Sequence, residues 1–204
     1  MRTAQVALGL MAVLLMAGAA GAATNRLNGT PHDFHAESWN PSGQYCLPCH
    51  YPHRAPHPED GPIWNHELSQ NTTSTRKEWD TGATVDISGG LRAGTKLCLG
   101  CHDGSTALDA FSRNMAGTTF ISSSFRVGVG GDFTSDHPIG VLYPSSGPYN
   151  PTSTPFGSRG TIADALEDGY MQCTSCYGMH SNDYGHLLRV TVDGSQICRV
   201  CHTF

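Results

Sequence analysis

Cys46-Leu-Pro-Cys49-His50, Cys98-Leu-Gly-Cys101-His102 and Cys198-Arg-Val-Cys201-His202 are one motif written three times, and a fourth copy, Cys173-Thr-Ser-Cys176-Tyr177, lacks only the terminal histidine. All eight cysteines of the 204-residue chain therefore lie in C-x-x-C pairs. With 11 histidines in the chain, three of them falling by accident directly after four such pairs has odds on the order of one in two thousand. C-x-x-C-H is the attachment signature of c-type haem, and its spacing follows from the chemistry. One helical turn brings two thiols to the two vinyl groups of one porphyrin, and the adjacent histidine reaches over the ring face to the iron. Four-sulfur zinc sites would use the cysteines but leave the three histidines unexplained. A thioredoxin-like redox pair needs a βαβ context that this Gly/Ser/Thr-rich chain lacks. Disulfides remain chemically permissible for an exported chain, so the spacing, not the count, decides for haem.

Export is read from the first residues. Met1-Arg2 form a short positive start, Val6 to Met16 is an unbroken run of apolar residues and glycine, and Ala20-Gly21-Ala22-Ala23 suits a signal peptidase. The expected organisation is a secretory signal at 1–23 followed by a single domain at 24–204. The apolar run is short of the roughly 20 residues that a membrane-spanning helix needs, and no other stretch reads as a span, so no transmembrane segment is expected in the mature chain. The expected location runs from the periplasm to the cell surface or beyond.

Composition asks what fills the interior. Only 38% of residues are hydrophobic and 8% aromatic, against 24 Gly and 12 Pro. Porphyrin faces would supply the apolar surface that the side chains do not. The 12 Lys+Arg against 17 Asp+Glu exclude the basic footprint of nucleic-acid binding. An acidic exported chain favours encounter with cation-rich redox partners.

A low-spin haem takes a second axial ligand, and beyond the three proximal histidines stand His32, His35, His53, His57, His66, His137, His180 and His186. His53 follows His50 by three residues, and His180 follows Tyr177 by the same interval. Each is too close in sequence to cap its own haem, so it is read as a ligand to a neighbouring haem, which would hold two porphyrins close enough for electron transfer.

The runs His32-Asp33-Phe34, Trp64-Asn65-His66, Asp136-His137-Pro138-Ile139 and Gly194-Ser195-Gln196-Ile197, in their order around the cysteine motifs, resemble the small tetrahaem c-type cytochromes of the OmcE type, which polymerise into extracellular nanowires. The resemblance covers nearly all of the expected mature chain. It implies four haem c groups in a continuous stack, bis-histidine ligation, little regular secondary structure and one axial ligand exchanged between subunits. By match to the family's motifs, His32, His53, His66, His137 and His180 are the distal candidates, with His32 the candidate for exchange. His35, His57 and His186 have no matching position.

Tyr177 departs from the family. Either a haem is still attached and Tyr177 or another side chain ligates it, or the site is skipped and Cys173 and Cys176 stay free or pair as a disulfide, or the position is a variant one nucleotide from a histidine codon. Four haems or three follow accordingly.

The expected fold has few regular elements: mostly coil, with short α-helices and a few short strands wrapped around the haem stack. Helices are expected at 105–112 and 162–170, and short strands at 119–121 and 125–127. The Gly/Ser/Thr/Pro-rich stretch at 114–160 is expected to wrap the stack and deliver His137 as a ligand. The functional expectation is electron transfer in a filament subunit, not enzymatic catalysis. The alternatives are a monomeric periplasmic shuttle and, third, a multihaem reductase with an open site at Cys173/Cys176. The expected partners are further copies of the chain, other redox proteins or external acceptors.

Overall fold

The computed structural model describes residues 27–51, 63–71, 73–78, 82–112, 114 and 116–203. The export segment read at 1–23, and His53 and His57, lie outside the described residues. Regular elements are few and short. Strands β1 (Thr75–Lys77) and β2 (Thr84–Asp86) pair antiparallel, with Arg76 opposite Val85. Helix α1 covers Ala93–His102, and strand β3 is Val141–Leu142. Helix α2 is the single turn Ile162–Ala165, followed by β4 (Tyr170–Met171), which pairs antiparallel with β3. Helices α3 (Cys173–Cys176) and α4 (Gln196–Arg199) are single turns over cysteine motifs. No helix among the described residues is long and apolar enough to cross a membrane.

The helices do not fall where periodicity alone places them. Helix α1, the longest, was not expected; Ala, Lys and Leu favour it, and Thr95 and Leu99, four residues apart, bury one face. At 105–112 there is no helix, because the backbone groups bond elsewhere: Leu108 N–H donates to Thr119 O, and Ala110 O accepts from Glu67 N–H. The helix begun at Ile162 stops after one turn. Asp168 and Gly169 both take positive φ (53° and 82°), and Glu167 and Tyr170 exchange both backbone hydrogen bonds across them, a two-residue hairpin turn of the Asp-Gly kind. Residues 119–121 are coil, and Phe125 ends a 3-10 turn at Ser123–Phe125 instead of opening a strand.

Two small apolar clusters form the interior of the described residues. One gathers Phe156, Ile162, Ala165, Met171, Val190, Val200 and Cys201; the other gathers Ile87, Leu91, Leu99 and Phe133. Val141 of β3 packs against both. Each cluster backs a cysteine motif, since Leu99 lies between Cys98 and Cys101 and the first cluster contains Cys201 itself. Within the stretch 116–160, Phe133 lies in one cluster, Phe156 in the other, and Val127 N–H bonds to His102 O at 2.9 Å.

Candidate cofactor site

All four cysteine motifs form the same helical turn. The N–H of the residue after the second cysteine donates to the carbonyl of the first: His50 to Cys46 (2.7 Å), Tyr177 to Cys173 (3.1 Å) and His202 to Cys198 (2.9 Å), while Cys98 to His102 close α1. Such a turn puts both thiols and the next side chain on adjoining faces. None of the eight cysteines is in a disulfide.

Three of the four motifs share a clamp that no sequence spacing announces. At the first, Asn65 N–H donates to Cys49 O and Tyr51 N–H to Ile63 O, setting Trp64 opposite His50. At the third, Arg189 N–H donates to Cys176 O and Gly178 N–H to Leu187 O, setting Leu188 opposite Tyr177. At the last, Asn150 N–H donates to Cys201 O and Thr203 N–H to Pro148 O, setting Tyr149 opposite His202. The opposing residue is aromatic where the motif ends in histidine: Trp64 meets His50 edge-on at 5.8 Å between ring centroids, and Tyr149 meets His202 at 5.0 Å.

Each of the three motif histidines faces a second histidine from far along the chain. The ring centroids are 5.9 Å apart for His102 and His32, 6.1 Å for His50 and His180, and 6.5 Å for His202 and His137. Two imidazoles bound trans to one metal, each through a bond of about 2 Å, have centroids roughly 6 Å apart. Second contacts set the ring nitrogens. His102 Nδ1 donates to Phe125 O at 3.1 Å and His137 Nδ1 to Pro138 O at 3.2 Å, which leaves Nε2 of each for a ligand role. Nδ1 of His32 is buried with no hydrogen-bond partner. Burial, then the charge of His102, pushes the His32 ring down to about 4, and burial followed by His137 lowers His202. Neutral imidazole is the ligating form.

His66 is placed differently. Its Nδ1 lies 2.8 Å from Glu67 O and its Nε2 2.9 Å from Ala107 O, so both nitrogens face carbonyls, and Nε2 is also 3.5 Å from Cys101 Sγ. It pins the residues around 66 against the second motif and faces no motif histidine. Tyr177 is 44% exposed, and burial, then the Cys176 and Cys173 thiols, pushes its phenol upward.

Contacts tie each motif to the next in sequence, and the His50–His180 pair also brings the third motif to the first. Asn65, clamped to Cys49, is followed by His66 against Cys101, which joins the first motif to the second. Cys173 N–H donates to Thr95 Oγ1 of α1 at 3.0 Å, and the buried Gln172 side chain accepts from Arg92 N–H and donates to Gly90 O, which joins the second to the third. Met171, just before α3, packs in the cluster that holds Val200 and Cys201, which joins the third to the fourth. The stretch around the motif ending in Tyr177 therefore touches each of the other three. Gln172, Thr95 and Tyr149 were not singled out from sequence, because polar and aromatic residues at these places carry no periodic or motif signal.

The buried thiols do not all shift alike: the hydrogen bond with Cys98 lowers Cys173. Burial first pushes Cys49 up to about 11, with Cys46 adding to it, and Cys101 up to about 12, with Cys49 and Asp103 adding to it. Among the described residues no group of three or more His, Cys, Asp and Glu closes into a metal-ion cage. A cavity of about 450 Å³ lies beside α1 on the face of Lys96, Leu99 and Asp103, with Phe133 and Leu91 among its walls and no cysteine in its lining. No protein-family model matches the chain, and no curated protein matches it.

Proposed function

We propose that the chain is an exported multihaem c-type cytochrome that carries electrons. The observation that carries this reading is the set of three imidazole pairs, each joining the histidine of a C-x-x-C-H motif to one from elsewhere in the chain at 5.9 to 6.5 Å between centroids. The residues present fit haem: two thiols on one helical turn, an adjacent imidazole, a facing imidazole and, at His32, an orphaned buried ring nitrogen. Cys46 and Cys49 would anchor one haem with His50 and His180 on its iron; Cys98 and Cys101 another, with His102 and His32; Cys198 and Cys201 another, with His202 and His137. When bound, haem supplies a one-electron ferric/ferrous couple. The chain's own part is to set axial ligands and hold neighbouring sites in contact through Thr95, Gln172 and the two clusters.

The resemblance to nanowire cytochromes supports self-association into an extracellular filament that passes electrons to external acceptors or other redox proteins. The His32–His102 contact favours a second reading. Because this pair lies within one chain, a monomer can complete its second haem without a neighbour and act as a periplasmic shuttle.

The test is the intact mass and the reduced-minus-oxidised spectrum of protein exported by a host with the haem-attachment machinery. Covalent haem with c-type bands and low-spin ferric iron is expected. A product without covalent haem would sink the proposal.

A further inference from the structure

The third motif ends in tyrosine where the other three end in histidine, yet it closes the same turn and carries the same clamp as the first and last. Tyr177 N–H closes the same turn onto Cys173 O as His50 and His202 close onto their first cysteines. The clamp around it repeats those around His50 and His202 bond for bond. Tyr177 is not spent on packing: it is 44% exposed while Leu188 opposite it is 7% exposed. Two of the distal candidates are committed elsewhere. His66 has both nitrogens on carbonyls, and His180, three residues on, faces His50. The motif is also tied to the second through Thr95 and to the fourth through Met171 and Cys201.

We propose that the Cys173/Cys176 motif carries a haem and that Tyr177, leaving the backbone where the other motifs place their proximal histidine, is the axial ligand through its phenol oxygen. Tyrosine is a known axial ligand of haem iron. The ligation is an exchange without electron transfer: the oxygen–iron bond forms, the phenol O–H bond breaks and the proton goes to water. The inference rests on the haem reading of the three histidine motifs. Its consequence is that the site whose surroundings touch the other three is the chemically distinct one, with an oxygen donor that favours ferric iron beside sites of nitrogen ligation.

The experiment is intact mass together with resonance Raman of the ferric holoprotein, on wild type, Tyr177→Phe and Tyr177→His, all exported full-length. Four haems in wild type, with tyrosinate–iron modes that vanish in both variants, are expected. Tyr177→His should also keep four haems and turn uniformly low-spin. If Tyr177→Phe fails to retain the haem, the comparison of wild type with Tyr177→His decides alone. Three haems in wild type, with Cys173 and Cys176 open to alkylation or joined as a disulfide, overturn the inference and leave the electron-carrier reading standing. Four haems without tyrosinate modes, or with modes that survive in Tyr177→His, also overturn it. Absence of any haem removes the functional reading itself, so the two failures are distinct.

Discussion

His32 and His102, 70 residues apart in the chain, stand with their rings 5.9 Å apart between centroids, and the buried Nδ1 of His32 has no protein partner. An intrachain pair has a consequence that an exchanged ligand lacks. His32→Ala should leave the haem count unchanged and convert one haem per chain from low-spin to high-spin in the monomer, with recovery on adding imidazole. Electron paramagnetic resonance of the ferric monomer checks this. If the monomer spectrum is unmoved and only assembled material changes, His32 serves a neighbouring copy instead.

Helix α1 approaches α3 through a glycine. A Cβ built at Gly94 would lie 2.4 Å from Glu167 Oε1 and 2.6 Å from Thr174 Cγ2. Gly94→Ala gains helix propensity of about 1 kcal/mol but forces the second and third motifs apart, at a cost of about 1–3 kcal/mol. A lower melting temperature is expected in thermal denaturation of the holoprotein. An equal or higher one would mean that the two helices yield freely.

The Tyr143 hydroxyl is shared between Asn150 O at 2.8 Å and Cys201 O at 3.0 Å, tying the 143–150 loop to the fourth motif. Tyr143→Phe should destabilise by about 1 kcal/mol. Burial, then the Cys201 thiol, raises the Tyr143 phenol to about 12 from its ordinary 10. A proton acid whose value is raised by folding adds stability below its unfolded value and loses it as the pH climbs through the folded one. The wild-type advantage over Tyr143→Phe should therefore be full below pH 10 and shrink between about 10 and 12. Urea melts of both proteins across that window test it, and a constant difference would be the contrary result.

Haem removal should unfold the chain. The two clusters hold seven and four buried residues among those described, too little apolar burial to offset the ordering of so much coil. Protein made without export, and so without haem attachment, should give a coil-like far-ultraviolet circular dichroism spectrum and no cooperative melt. A sharp melt of the haem-free chain would show that the side-chain clusters suffice.

The local turn of each cysteine motif was legible in residues that are adjacent in sequence. Two cysteines and a histidine within five positions define a helical turn and its donors whatever surrounds them, and the structure forms that turn at all four motifs. The thin core and the scarcity of regular elements also followed from composition, since few apolar side chains can bury only small clusters. Helix limits did not follow. Asp168-Gly169 turns the chain where apolar spacing would continue α2, and long-range backbone bonds displace the helix expected at 105–112.

Tertiary structure alone decided which distant groups meet. His32, His137 and His180 find motif histidines while His66, equal to them as a sequence candidate, settles on two carbonyls beside Cys101. The shared clamps, the aromatic rings set opposite His50 and His202, and the contact of the Tyr177 motif with α1 are decided in the same way. The physical reason is range. A helical turn and a thiol pair depend on bonds within five residues, whereas a facing imidazole depends on the path of every loop between, and that path is set by packing and hydrogen bonds that no local pattern encodes.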